Sequence, residues 1–275
     1  MSDDSDAAAP DAATTLVVVL KVPTLGKSKT RLIPRLGTDL ALQVATALAQ
    51  DTLLRFGASQ LPAAWRRVAY FAPADKAAEL AALGAVEPTW ERLAMRPHDL
   101  GSSELGSLLR AGYEHVRLTQ SSSGPVIFVG MDAPDLPSVV VSRAADTARR
   151  GRAVVHDATD GGYVLCALPE GCPGSAFDDV EWSTARTAAS QKARFEALGV
   201  DVAPIDASVG PWSDVDEPDD LRRLLERLDD GRSRGDDHLG CPALEAIKPR
   251  LLAVLADDTT NDDEAAAAGA ARRGE

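Results

Sequence analysis

Short apolar runs alternate along the chain with longer segments in which apolar residues recur at helical spacing. A short continuous apolar run predicts a buried strand, whereas recurrence at every third or fourth position predicts an amphipathic helix. The strongest buried run is 126–129, which stops at Gly130. Strands are predicted at residues 16–20, 67–71, 126–129, 153–155, 163–168 and 200–204. Helices are predicted at residues 38–56, 75–83, 103–118, 139–149, 183–198 and 217–228.

The order of these elements indicates the fold class. Strands and helices alternate, which favours an α/β fold with a mainly parallel sheet covered by helices on both faces. The exception is segment 153–168, where a turn with two glycines joins two strands and predicts an antiparallel hairpin. Ligands in such sheets bind beyond the carboxyl ends of the strands.

Composition and charge divide the chain. It has 275 residues, 45% of them hydrophobic, and a net charge of −13. Residues 1–14 and 256–275 contribute −4 each and are poor in apolar residues, so we expect both to be disordered acidic tails. The remaining −5 falls on a predicted domain at 15–228 and on a loop and C-terminal helix at 229–255. This acidic balance argues against nucleic-acid and anionic-membrane partners.

The cysteines and the N-terminal segment suggest a compartment. Three unevenly spaced cysteines fit neither a zinc site nor a complete disulfide framework, so a reducing environment is expected. The N-terminal segment lacks the features of a secretory signal, and no apolar run approaches the ~18 residues of a membrane span. We therefore expect a cytoplasmic protein.

A cation-rich loop follows the first predicted strand. A glycine allows a tight turn and close approach to a ligand, while lysine and arginine offset phosphate charge. A Walker A loop is the rival interpretation, but it requires a glycine where this chain has Lys21, and Pro23 lies inside the loop. A solvated basic turn is the other alternative. The cations around Gly26 are Lys21, Lys27, Lys29 and Arg31.

An acidic loop follows the strand at 126–129. Asp132 lies two residues beyond this strand, and Pro134 and Pro137 restrict the loop. Such a carboxylate can hold Mg²⁺, which needs only one or two protein carboxylates when phosphates supply further oxygens. A proline-restricted turn is the structural alternative. Two strand-end loops of opposite charge at one crevice form a more specific signal than either alone.

A second acidic cluster, 214–221, precedes the last predicted helix of the domain. Asp219 and Asp220 are expected to stabilise that helix, because acids favour a helix N-terminus. Asp214 and Asp216 lie earlier, where alternate side chains share one direction if the backbone is extended. Of these two we favour Asp216 as the residue that faces the crevice.

Two further groups are candidates for substrate contact. Asp160 can accept hydrogen bonds from hydroxyl groups, and Gly161 and Gly162 permit close approach beside Tyr163. A simple hairpin turn explains the same residues equally well. Trp182 can offer an apolar platform for a sugar or base, although a core tryptophan fits as well. The four histidines form no convincing catalytic array with serine or cysteine.

Six motifs in order resemble a bacterial-type family of uncharacterised proteins assigned as glycosyltransferases, some associated with arsenosugar biosynthesis. The resemblance covers roughly residues 15–228 and extends to molybdenum-cofactor and 2-phospholactate guanylyltransferases and to sugar-acid cytidylyltransferases. The motifs are Lys21-x-Pro23-x-x-Gly26-x-x-Lys29-Thr30-Arg31-Leu32, Asp99-Leu100-Gly101, Gly130-x-Asp132-x-Pro134-Asp135-Leu136, Asp160-Gly161-Gly162-Tyr163, Trp182-Ser183-Thr184 and Asp214-Val215-Asp216-x-Pro218-x-Asp220-Leu221.

The resemblance implies a three-layer α/β/α, Rossmann-like GT-A fold of the nucleotide-diphospho-sugar transferase type. It implies that Asp132 and Asp216 hold Mg²⁺ or Mn²⁺ and that Asp99 and Gly101 lie near the base or ribose. It places segment 160–163 on the acceptor side. This chain has Arg96-Pro97-His98 where relatives tend to have glutamine and glycine, so the base is left open. The residues implied at the nucleotide phosphates are Lys21, Gly26, Lys29, Thr30 and Arg31.

Three functions follow as hypotheses. The first is a metal-dependent glycosyltransferase that moves a sugar from a nucleotide-sugar donor to a small-molecule acceptor, with Lys29, Asp132 and Asp216 as catalytic residues. The second is a nucleotidylyltransferase, since a cation-rich loop suits a nucleoside triphosphate that must release pyrophosphate. The third is a non-catalytic nucleotide-binding module. The sequence does not determine the oligomeric state.

Overall fold

One sheet forms the centre of the molecule. The computed structural model describes residues 14–83, 89–96, 104–119, 124–204, 211–234 and 240–271, with side chains described except at 232–234 and 257–271. In these residues the sheet has seven strands in the order β3-β2-β1-β4-β6-β5-β7. The strands are β1 (Thr15–Lys21), β2 (Arg66–Ala72), β3 (Trp90–Ala94), β4 (Val126–Gly130), β5 (Ala153–Asp157), β6 (Tyr163–Leu168) and β7 (Val202–Ala203).

The sheet is parallel except for β6. This strand lies between β4 and β5 and is antiparallel to both. The predicted hairpin is confirmed, with Asp157 opposite Tyr163 across the turn. Strands β1 and β4 are parallel neighbours, so the cation-rich loop after β1 and the acidic loop after β4 leave the sheet at the same edge.

Strand β3 was not predicted from the sequence. It is an edge strand that pairs only with β2 among the described strands. Its middle residues, Glu91 and Arg92, are exposed, so the apolar run that marks a buried strand is missing. Charged edge residues protect against pairing with another chain, and Glu91 also pairs with Arg66 of β2 at 2.7 Å.

The helices match the predicted positions with shifts at their ends. The first helix begins earlier than predicted, but Gly37 (φ 74°, ψ 164°) breaks it one residue before the predicted start at Thr38. The next-to-last helix continues past the predicted domain boundary at 228. The helices are α1 (Ile33–Arg55), α2 (Ala77–Ala82), α3 (Leu105–Thr119), α4 (Ser138–Arg149), α5 (Thr187–Ala197), α6 (Pro218–Arg234) and α7 (Pro242–Ala271).

Alternating residues of β1 point to two apolar cores. Leu16, Val18 and Leu20 pack on one face against α1 and α4. Val17 packs on the other face, in the core with α3 and with the segment around Phe177. Because helices cover both faces, the three-layer α/β/α, Rossmann-like prediction is confirmed.

A further helical layer covers the outer face of α1. Apolar residues of α1, α6 and the first half of α7 form a third buried cluster, which includes Leu48, Leu224 and Leu251. The C-terminal helix therefore packs on the domain. It runs to Ala271, across part of the segment for which the sequence predicted a disordered tail; residues 1–13 and 272–275 lie outside the described residues.

Two global features concern solvent and redox state. None of the helices in the described ranges is long and apolar enough to cross a membrane. Cys166, Cys172 and Cys241 are buried and form no disulfide. Burial raises the pKa of the Cys172 and Cys241 thiols to about 12, so neither is a reactive thiolate at neutral pH.

Candidate functional site

The cation-rich loop folds back on itself between β1 and α1. The amides of Lys27 and Ser28 donate to the Thr24 carbonyl at 3.0 and 3.1 Å, and the buried Ser28 hydroxyl accepts from the Thr24 amide at 3.0 Å. Gly26 has a φ of 70°, which glycine adopts without strain. Lys21 Nζ donates to the Lys27 carbonyl at 3.0 Å. The loop is therefore a built structure, not a solvated turn.

Lys29 is the centre of the site. Its Nζ lies 2.5 Å from Asp132 Oδ1 and 3.0 Å from Asp216 Oδ1, although Asp216 is 187 residues away in the sequence. Its backbone is left-handed at φ 47°, which is uncommon for a residue with a side chain. Strain of this kind is often found at functional positions.

The two acidic loops are tied by their backbones as well. The Val215 amide donates to the Asp132 carbonyl at 2.9 Å. The Asp220 carboxylate accepts from the amides of Asp216 and Glu217 at 3.0 and 2.7 Å, so it stabilises the start of α6 as predicted. Asp216 is thus held in place independently of its contact with Lys29.

Helix α1 supports the acidic loop from below. The Thr52 hydroxyl donates to the Met131 carbonyl at 3.1 Å, and Arg55 Nε donates to the Pro134 carbonyl. Asp135, which the motif includes, points away from Lys29. It accepts from Arg227 Nε at 2.7 Å and from Trp212 Nε1 at 3.1 Å, so it fixes the loop to α6.

Two adjoining cavities open at this edge of the sheet. The first, which we call the basic cavity, has a volume of about 970 Å³ and contains five cations and three acids. Both its cations and its size suit a phosphate-bearing ligand. The charged residues of the basic cavity are Lys21, Lys27, Lys29, Arg31, Lys76, Asp75, Asp132 and Asp216.

The second cavity, which we call the acidic cavity, has a volume of about 530 Å³. It contains three carboxylates, from Asp160, Asp214 and Asp216, and one cation, Arg31. Its wall includes the aromatic residues Phe128, Tyr163 and Trp182. Arg31 and Asp216 also line the basic cavity, so the two cavities are joined at these residues.

The charges of the site influence each other. Burial alone would lower the pKa of Lys29, but Asp132 and Asp216 outweigh it, so the pKa is raised and the amine stays protonated. Burial, together with the charges of Asp160, Asp216 and Asp132, raises the pKa of Asp214 to about 6. The acidic cavity therefore carries a negative field that its single arginine does not offset.

Close packing fixes the aromatic wall of the acidic cavity. The rings of Trp182 and Tyr163 meet edge to face at 6.2 Å. A Cβ atom added to Gly106 of α3 would lie 2.3 Å from Trp182 Nε1, so α3 fits the indole only with glycine there. Gly161, with φ 89°, approaches the Ala185 carbonyl in the same way. The indole is half-buried and has one defined position.

The structure brings most of the predicted site residues together. Lys21, Lys29, Thr30 and Arg31 line the basic cavity, whereas Gly26 does not line it and acts through the turn. Asp160, Gly162, Tyr163 and Trp182 line the acidic cavity, and Gly161 supports it. Asp99 and Gly101 lie outside the described residues.

Sequence reasoning missed part of the site. Asp214 lines the acidic cavity together with Asp216, so the extended backbone directs both carboxylates to the crevice instead of one. The alternation of these two acids was the available signal. Leu105 and Gly106 carried no such signal, because they enter the site only through the packing of α3.

The carboxylates fit a divalent cation only with help from a ligand. In the described residues no group of three histidine, cysteine or acidic side chains is placed to hold a metal. Asp132 and Asp216 both reach one cation, the amine of Lys29. Two hard oxygen ligands suffice for Mg²⁺ or Mn²⁺ when phosphate oxygens and water complete the coordination.

Known proteins resemble the chain in two ways. Residues 56–184 match a family described as "Uncharacterized protein conserved in bacteria (DUF2064)". This segment includes Asp132, Asp160 and Trp182, while Lys29 and Asp216 lie outside it. No curated protein matches the sequence.

Solved structures share the fold. A "putative nucleotide-diphospho-sugar transferase" from Desulfovibrio desulfuricans G20 is 21% identical and has a TM-score of 0.72, with 89% of this chain and 97% of that chain covered. A 4-diphosphocytidyl-2C-methyl-D-erythritol synthase from Anaerococcus prevotii is 11% identical, with coverages of 79% and 96% and a TM-score of 0.49. The chain therefore has the fold of the nucleotide-diphospho-sugar transferases and resembles the DUF2064 family over residues 56–184.

Proposed function

We propose that this protein is a metal-dependent glycosyltransferase that transfers a sugar from a nucleotide-sugar donor to a small-molecule acceptor. The observation that carries the proposal is the pair of joined cavities with opposite charge. A nucleotide diphosphate fits the cations of the basic cavity. The transferred sugar would lie where Asp216 and Arg31 line both cavities, with the acceptor beyond it.

The chain's own residues would orient the donor. Lys29, held between Asp132 and Asp216, presents a fixed positive charge to the diphosphate, and the exposed Arg31 adds a second. Fixed charges near a leaving group stabilise the transition state without reorganisation. Asp132 and Asp216 would hold the divalent cation, which supplies further positive charge to the departing nucleoside diphosphate.

Nucleotidylyl transfer is the second candidate. It is favoured by the number of cations in the basic cavity, since a triphosphate carries more charge than a diphosphate. It is disfavoured by the acidic cavity, because the second substrate of that reaction would be a sugar phosphate or phosphoacid. Such an anion would meet three carboxylates and one arginine.

Product analysis tests both candidates. A thermal-shift screen of nucleotides and nucleotide sugars, with and without Mn²⁺, identifies the donor, because a ligand that binds the folded state raises the melting temperature. Incubation with that donor and an acceptor mixture should release a nucleoside diphosphate. Pyrophosphate release from a nucleoside triphosphate would replace our proposal with the second candidate. Metal-independent nucleotide binding with no turnover would indicate a non-catalytic module.

A further inference from the structure

The acidic cavity has a chemical character that limits the acceptor. We propose that it selects acceptors with a flat apolar ring and a hydroxyl or ammonium group, and that it rejects acceptors with a phosphate or carboxylate at this position. The ring would pack on Trp182, and the donor group would bind Asp160 and Asp214. This inference rests on the proposed function, because it names the acceptor class of the same site.

The charge distribution excludes anions. The only cation in the described lining, Arg31, has its Nη1 atom 3.8 Å from both Asp216 and Glu217, so acids already engage it. Lys29 lines the basic cavity, and its amine is held by two carboxylates. An anionic group beside Asp160 and Asp214 would therefore find repulsion without a compensating partner.

Two carboxylates are available to a hydrogen-bond donor. Asp160 Oδ1 accepts from the Gly162 amide at 2.7 Å, which fixes the orientation of the carboxylate. The half-buried carboxylate of Asp214 has no ion pair and no hydrogen bond to another side chain in the ranges that the structure describes. A carboxylate accepts from hydroxyl and ammonium groups and cannot donate to an anion unless it is protonated.

The apolar wall is suited to a ring. Trp182 and Tyr163 form one side of the cavity, and Leu105 and Phe128 also line it. Because Gly106 leaves room for the indole edge, Trp182 is held in one orientation before any ligand binds. A preformed aromatic face binds sugar rings, aromatic rings and organic cations. The volume of about 530 Å³ admits one small molecule.

Three probes that differ only in the group beyond the ring test the selectivity: phenethylamine, phenethyl alcohol and phenethyl phosphate. Binding to the full-length protein is measured by ligand-observed NMR with Mn²⁺, with and without uridine or guanosine diphosphate. We expect the amine and the alcohol to bind. Trp182→Ala should weaken both by about tenfold, whereas Asp214→Asn should weaken the amine more than the alcohol. Any binding of the phosphate should occur in the basic cavity, so Lys29→Met and not Trp182→Ala should reduce it.

A pair of glycine variants separates position from folding. Gly106→Ala should displace Trp182 and weaken amine binding about as much as Trp182→Ala does. Gly231→Ala on α6 is the control, because its Cβ would meet no atom within 4 Å. Circular dichroism and nucleotide binding should be unchanged in both. If Gly106→Ala unfolds the protein, the Trp182→Ala and Asp214→Asn results still decide the question.

The outcomes are distinct. The proposal fails if phenethyl phosphate binds as tightly as the amine and Trp182→Ala weakens it equally. It also fails if nucleotides bind while none of the three probes does, which would leave the proposed function intact. If the amine and alcohol bind as expected but no nucleotide or nucleotide sugar binds, the selectivity of the cavity is supported and the proposed function is wrong.

Discussion

The basic and acidic cavities differ in how the chain builds them. Four of the five cations of the basic cavity come from one continuous loop, 21–31. The acidic cavity draws its lining from α3, the hairpin turn, the segment before α5 and the segment before α6. A site made from one loop is visible in the sequence, whereas a site assembled from distant segments depends on the fold.

The two cavities are nevertheless coupled. Lys29 belongs to the cation-rich loop, yet its amine lies between Asp132 and Asp216. The Val215 amide ties one acidic loop to the other. Substitutions in this region therefore test whether the cavities act as donor and acceptor halves of one site.

The largest effect is expected for Asp132→Asn. The variant removes a charge that contacts Lys29 and that we assign to the divalent cation, so transfer should fall at least about a hundredfold. Nucleotide binding should also lose its dependence on Mn²⁺, as measured by titration calorimetry. Asp219→Asn, an exposed position paired with Arg222, is the control and should retain activity. Unchanged Mn²⁺ dependence in Asp132→Asn would contradict the assignment.

A smaller effect is expected for Lys29→Met. Loss of a charged donor to the diphosphate should weaken nucleotide binding about tenfold or more. Lys192→Met is the matched control, because Lys192 makes an ion pair with Asp157 at 2.6 Å outside both cavities. If both variants bind nucleotide like the wild type, the basic cavity is not the phosphate site.

Periodicity explains how much of the fold could be predicted. Strands β1 and β4 and the β5–β6 hairpin were predicted because buried strands and glycine turns leave strong local signals. Strand β3 was missed since its exposed Glu91 and Arg92 interrupt the apolar pattern. The packing of α7 on α1 was not predicted, because an amphipathic helix does not reveal which surface it covers.

The same distinction applies to the site. Lys29, Asp132 and Asp216 could be proposed from residue type and from their position at strand ends. The half-buried position of Trp182 against Gly106 could not, because it results from the approach of two segments that are distant in sequence. Asp51 gave no signal either. It lies within α1, and its importance follows only from the helix that it caps.

Asp51 tests whether the helical layer is independent of the cavities. Its buried carboxylate accepts from the amides of Ala243 and Leu244, both at 2.9 Å, at the start of α7. Asp51→Ala should lower the free energy of unfolding by about 1–2 kcal/mol in urea denaturation, as expected for a lost helix cap. Nucleotide and acceptor binding should not change. Altered binding would mean that α7 acts on the site through α1.

The pH dependence of stability offers a second test of Asp51. Burial raises the pKa of this carboxyl to about 6, against the favourable amides and Arg55. A raised pKa means that the folded state holds the proton more tightly than the unfolded state, so this contribution to stability is lost as pH rises from about 4 to about 6. Asp51→Asn cannot titrate, so the unfolding free energy of the wild type should fall relative to that of the variant across this range. Parallel pH profiles would show that Asp51 titrates normally.

The smallest effect is expected for Arg31→Ala, yet this variant compares the two cavities most directly. Arg31 lines both cavities, and its side chain is 67% exposed, so solvent screens its charge. Nucleotide binding should weaken by about threefold and lose part of its salt dependence, as measured by calorimetry at two salt concentrations. Binding of phenethylamine should change in the opposite direction, because the only cation in the described lining of the acidic cavity is gone. Arg250→Ala on α7 is the control and should affect neither ligand. If Arg31→Ala weakens both ligands equally, the residue supports the shape of the site and not its division into two charges.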